Sequence, residues 1–193
     1  MSDNIEDEER VARLLARAGL EPRRYKISQC NPDKKNPDFE VVGHDTYFLC
    51  EVKSICMGIG DGPVLHSTIF NNLTENIHDA IKQFRAANRI HSVPNVLLWI
   101  SHNFRVNVRT FLDLACGRIL VSTEVVADLS KYRYGRMKVE FTDIDLHIWL
   151  ESDDTPHFIF NDVRPDLKSR LVRAFQGWTH HAAEQRAAAA AHG

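Results

Sequence analysis

No apolar run in this chain is long enough to cross a membrane. The longest clear one, residues 96–100, falls far short of the roughly 20 residues a spanning helix needs. Cysteine is scarce: Cys30, Cys50, Cys56 and Cys116 form no CxxC pair, and no Cys/His spacing matches a zinc site. A disulfide scaffold and a zinc module are thereby excluded, and the sequence reads as a reduced, cytoplasmic protein with Cys50 as a buried thiol. The seven prolines and nine glycines do not gather into an interior linker, and no repeat is visible. Charge of one sign is not in excess either: the formal net charge is −2, so any nucleic-acid surface must be a local basic patch. The ten histidines form no metal-ligand pattern, and the acidic, polar start carries no readable signal peptide.

What remains is ordinary core-forming material. The 193 residues are 44% hydrophobic and 26% charged, enough for one sizeable domain, which we place at residues 1–186, followed by an alanine-rich tail at 187–193. Apolar spacing predicts an amphipathic helix over residues 3–18, stopped by Gly19. A short strand is expected over 23–28. Strands at 38–43 and 47–55 flank Gly43-His44-Asp45-Thr46, a good turn sequence. A glycine-containing loop over 57–63 leads to a helix at 72–89 with Ile77, Ala80, Ile81 and Phe84 on one face. A buried strand at 95–101, a helix at 108–115, strands at 138–151 and 157–160, and a final helix at 165–184 complete the series. This order implies an α/β domain built on one central mixed sheet flanked by helices.

The chemistry concentrates in Pro37-Asp38 and in Glu51-Val52-Lys53. Alternation along a strand puts Glu51 and Lys53 on one face and Val52 on the other. A turn centred between His44 and Asp45 pairs Gly43 with Thr46 and therefore sets Asp38 opposite Glu51, with Cβ atoms roughly 5 Å apart. Two carboxylates so placed repel and lose solvation unless a cation lies between them. Hard oxygen ligands favour Mg²⁺, with Mn²⁺ as a substitute. Lys53 adds an ammonium beside the attacking water, completing a set suited to hydrolysing a phosphodiester. Glu51 and Lys53 also interrupt an otherwise apolar strand, where uncompensated charge costs several kcal/mol.

Pro37-Asp38, a short hairpin and Glu51-Val52-Lys53 resemble the PD-(D/E)XK nuclease superfamily. Glu8-Glu9-Arg10-Val11-Ala12-Arg13-Leu14-Leu15, followed by Gly19-Leu20, is similar to the opening of archaeal Holliday-junction resolvases and related nucleases. The likeness covers about the first half of the chain. It implies a restriction-endonuclease-like fold and a Mg²⁺-dependent endonuclease acting on DNA, with a homodimer suggested by analogy. It further implies that Asp38 and Glu51 hold the metal with the Val52 carbonyl, that Lys53 stabilises the transition state, and that an acid on the first helix completes the site. Helical phase favours Glu8 for that acid, at the edge of the stripe formed by Val11, Leu14, Leu15 and Ala18, with Asp7 as runner-up. Gln83, on the helix after the motif, is a supporting candidate, although Ala87 stands where some branches carry a tyrosine.

Lys34 and Lys35 are the leading phosphate-binding candidates because they precede the motif. Further basic groups lie at Arg23-Arg24, at 133–138 and at Lys168, Arg170 and Arg173. The alternative to an endonuclease is a catalytically silent domain of the same fold that binds nucleic acid or a partner protein.

Overall fold

The computed structural model describes residues 3–25, 36–43, 46–56, 66–103, 106–115, 118–120, 126–128, 141–152, 154–161, 165–176 and 178. The elements run α1 (Asp3–Arg17), β1 (Glu21–Arg24), β2 (Phe39–Gly43), β3 (Thr46–Ile55), α2 (His66–Ala87), β4 (Asn95–Ser101), α3 (Val108–Ala115), β5 (Arg118–Leu120), β6 (Val126–Asp128), β7 (Leu146–Leu150) and β8 (Pro156–Phe160). A helical stretch over 165–176, here α4, follows. Six strands form one sheet in the order β1-β2-β3-β4-β7-β8, and β5 and β6 pair separately. The centre, β3-β4-β7, is parallel, and both flanks are antiparallel. The protein is thus an α/β domain with a mixed sheet flanked by helices.

Alternation along the central strands builds two cores. Phe48, Cys50 and Val52 of β3, with Val96, Leu98 and Ile100 of β4 and Leu146, Ile148 and Leu150 of β7, face α1 and α4. Leu49, Ile55, Leu97, Trp99 and Trp149 face α2 and α3, where Trp99 and Trp149 stack across the strands at 6.0 Å. Parallel strands covered on both faces read as continuous apolar runs, as residues 96–100 do. No helix among the described residues is long and apolar enough to cross a membrane.

Helix α1 ends where expected. Gly19 adopts φ 80°, and the Leu20 and Gly19 amides bond back to the Leu15 and Ala16 carbonyls, which is a Schellman cap. Helix α2 begins earlier than the spacing predicts, at His66 rather than residue 72, because Ile69, Phe70 and Leu73 continue its buried stripe. The first strand is shifted to Glu21–Arg24, where pairing with β2 overrides the low strand propensity of Glu21 and Pro22. The expected strand at 138–151 is corrected: among its described residues, a 3-10 turn occupies Phe141–Asp143 and the extended part is Leu146–Leu150. Buried Asp145 causes the break. It accepts the Asn95 amide at 2.8 Å and the His91 ring at 2.6 Å, pinning the starts of β4 and β7 together. Lys34, Lys35, the turn residues 44–45, the loop 57–63, the cluster 133–138, Cys30, Cys116 and the tail 187–193 lie outside the described residues.

Gly43 closes the β2–β3 hairpin over the end of α1. A methyl group there would lie 2.6 Å from Leu20 Cδ2 and 3.3 Å from Leu20 Cα. Gly43→Ala is expected to cost about 1–3 kcal/mol in urea unfolding through overpacking. An unchanged midpoint would contradict this account of the hairpin.

Candidate active site

The β2–β3 register is the one the turn predicts: Gly43 pairs with Thr46 and Phe39 with Cys50. One step further, Asp38 comes opposite Glu51, just before β2 begins. β3 continues there without a β2 neighbour, and the Val52 amide on that side donates to Asp38 Oδ2 at 2.7 Å. In an extended strand the carbonyl of a residue points the same way as its amide, so the Val52 carbonyl also faces this gap.

Glu51 is 2% exposed. Its Oε1 takes an ion pair from Lys53 Nζ at 2.7 Å, whereas Oε2 is buried without a hydrogen-bond partner. Burial and then the negative Asp38 push the Glu51 carboxyl up to about 8, against the opposing pull of Lys53. Burial raises Asp38 as well, against the stabilising Val52 amide. Both carboxyls are therefore held above their ordinary range when nothing else balances their charge.

Lys53 is held from its other side. Its Nζ donates to Gln83 Oε1 at 3.3 Å, and Gln83 Nε2 donates to the Asn36 carbonyl at 3.0 Å. Gln83 is buried on α2 at the edge of the stripe Ile77, Ala80, Ile81 and Phe84, so one side chain ties α2, β3 and the segment before Asp38. Asp38, Glu51 and Lys53 are brought together as the hairpin register implies, and Gln83, for which the sequence favours a solvated helix flank, is buried beside Lys53.

Glu8 is not brought to that group. It is turned to Arg24, whose guanidinium lies over the Phe39 ring at 4.8 Å, on the α1 face of the sheet. Asp7, not Glu8, is the buried acid of α1 at 4% exposure. It accepts Ser54 Oγ at 2.5 Å and meets His102 Nε2 at 2.7 Å, again on the α1 face. Among the described residues, no group of three or more His, Cys, Asp or Glu side chains is placed to hold a metal. His102 went unnoticed in the sequence, its only signal being a polar residue at the end of an apolar parallel strand.

Of the other basic candidates, Arg23 pairs with Glu21, and Lys168 lies 5.8 Å over the Phe160 ring.

No protein-family model, curated protein or solved structure matches this chain.

The donor set nonetheless suits a small hard cation: two facing carboxyls, one with an orphaned buried oxygen, and a strand carbonyl on the same side. Mg²⁺ keeps several waters and is commonly bound through one or two carboxylates.

The raised carboxyls carry a stability consequence. A group whose pKa is higher in the folded state binds more protons there, so stability is greatest at low pH and falls as pH rises from the ordinary value of 4.5 to about 8. Melting in the presence of a chelator should show Tm falling across that window. Glu51→Gln should flatten much of the fall and melt higher than the parent at the alkaline end. A variant that instead steepens it would show that Glu51 is ionised in the metal-free fold.

Proposed function

We propose that this protein is a Mg²⁺-dependent DNA endonuclease of the PD-(D/E)XK superfamily, with a restriction-endonuclease-like fold. The observation that carries this reading is the facing of Asp38 and Glu51 across the hairpin, with Glu51 Oε2 buried without a partner and Lys53 on the same face. A structural salt bridge alone would need one carboxylate for one ammonium. Here a second buried carboxyl accompanies them, which calls for more positive charge than Lys53 supplies.

Asp38 and Glu51 would hold the ion, with the Val52 carbonyl on the same side. When bound, Mg²⁺ (or Mn²⁺ in its place) lowers the pKa of a water and neutralises charge on the scissile phosphate. Lys53 then donates to a phosphoryl oxygen as charge builds during an in-line displacement. Gln83 keeps the Lys53 ammonium aimed at that position rather than collapsed wholly onto Glu51. Arg24, paired with Glu8, is close enough to act weakly on Asp38 electrostatically. Cutting both strands of a duplex calls for two such sites, which a homodimer would supply.

The second reading, a domain that binds nucleic acid without cutting it, is favoured by one observation: neither Glu8 nor Asp7 of α1 joins the carboxylate pair. Incubation of supercoiled DNA with Mg²⁺ separates the two. Nicking is expected from the parent protein, with a loss of about 10²-fold or more in Asp38→Ala and Lys53→Ala while DNA binding persists. Binding without nicking by the parent protein would establish the silent domain.

Gln83 is a positioning residue. Gln83→Leu is expected to lower turnover roughly 10-fold or more without weakening DNA binding. Gln83→Glu should restore part of the loss, because it keeps an acceptor for Lys53. Unchanged turnover in the leucine variant would remove Gln83 from the site.

A further inference from the structure

A cavity of about 660 Å³ opens away from the hairpin, lined among others by Arg10, His102, Val106, Arg109, Glu151 and His157. Its size is that of a small-molecule site. It lies past the carboxyl ends of β4 and β7, neighbouring parallel strands, which is where open α/β sheets commonly hold ligands. Glu51 pairs with Leu97, four residues before Ser101 in the cavity wall, so the two places are separated by ~13 Å along the strands.

The wall holds Arg10, Arg109, His102 and His157. Arg10 Nε donates to Asp154 Oδ1 at 2.7 Å and Nη2 to the Glu151 carbonyl at 3.3 Å, fixing the guanidinium while leaving Nη1 unused by these bonds. His102 is held through Nε2 by buried Asp7, itself braced by Ser54, so the opposite ring nitrogen is available to another partner. Arg109, in the first turn of α3, is exposed and has no ion-pair partner among the described residues. Glu151, the carboxylate in this wall, is engaged by His157 Nε2 at 3.4 Å. Two guanidinium groups and two imidazoles thus line one cavity; Asp154, Asp7 and Glu151 each engage one of them, and Arg109 has no carboxylate partner among the described residues. Planar guanidinium forks match the oxygens of a phosphoryl group. Val106 and Val108 add apolar surface for whatever carries it.

We propose that this cavity binds the phosphoryl group of a nucleotide, with Arg10, Arg109 and His102 as its ligands. The nucleotide is either a free mononucleotide or one within a nucleic-acid strand. The site stands whether or not the Asp38–Glu51 pair cuts DNA.

Calorimetric titration of the whole protein in a chelator, which blocks cleavage, tests this with adenosine monophosphate, adenosine and a short oligothymidylate as probes. Adenosine monophosphate is expected to bind where adenosine does not, and Arg109→Gln should weaken it about tenfold or more. Asp38→Ala should leave it unchanged. Arg109-dependent binding of the oligothymidylate alone would assign the phosphoryl group to a strand, whereas dependence with the mononucleotide would assign it to a free nucleotide. Binding of neither probe overturns the proposal, as does binding indifferent to both Arg109→Gln and His102→Gln. Arg109 is exposed and has no ion-pair partner among the described residues, so its replacement leaves the fold intact and the outcome readable.

Discussion

A carboxylate taken out of water has to be balanced, and the balance around Glu51 organises this molecule. Glu51 sits in an inner strand of the sheet, between two apolar layers. Among the described residues, the groups that bear on its charge are Asp38 across the hairpin and Lys53 one pleat along, with Gln83 from α2 behind Lys53. Each comes from a different segment, so the charge state of one side chain depends on the hairpin register, the continuity of β3 and the seating of α2. An error in any of them would strand a buried charge.

The sheet divides labour between its faces. Even-numbered residues of β3 build the layer under α1 and α4, which is almost wholly apolar along that strand up to Val52. Odd-numbered residues start apolar at Leu49 and turn polar at Glu51 and Lys53 before closing again at Ile55. The polar interruption lies where β2 has ended and the backbone on one side has lost its strand partner. Asp38 makes up for that loss by accepting the Val52 amide. The same geometry that deprives β3 of a neighbour opens the gap into which the carboxyls point.

Much of this was legible in the sequence because it is local. A two-residue turn at 44–45 and alternation on either side suffice to set Asp38 against Glu51, and β4 and α3 announce themselves by an apolar run and a short amphipathic period. The failures are non-local. Alternation over 143–148 resembles a longer strand than β7, and only the buried bond from Asp145 to Asn95 reveals where extension starts. Helical phase narrowed the buried acid of α1 to two neighbours and favoured Glu8. The partners that separate them, Arg24 for one and Ser54 with His102 for the other, lie far along the chain. Gln83 lies 30 residues from Lys53, so its role was visible only as a candidate.

Strand β1 gives the sheet a blunt margin. It is four residues long, carries Pro22 within it, and presents Arg23 and Arg24 along its length. A row of unsatisfied amides would invite another chain to add itself, and a missing proline donor together with fixed positive charge discourages that. Growth of the sheet by recruitment is therefore blocked on the side nearest the carboxylate pair. A strand that approached this margin would meet a proline and two arginines where it needed a run of amide donors.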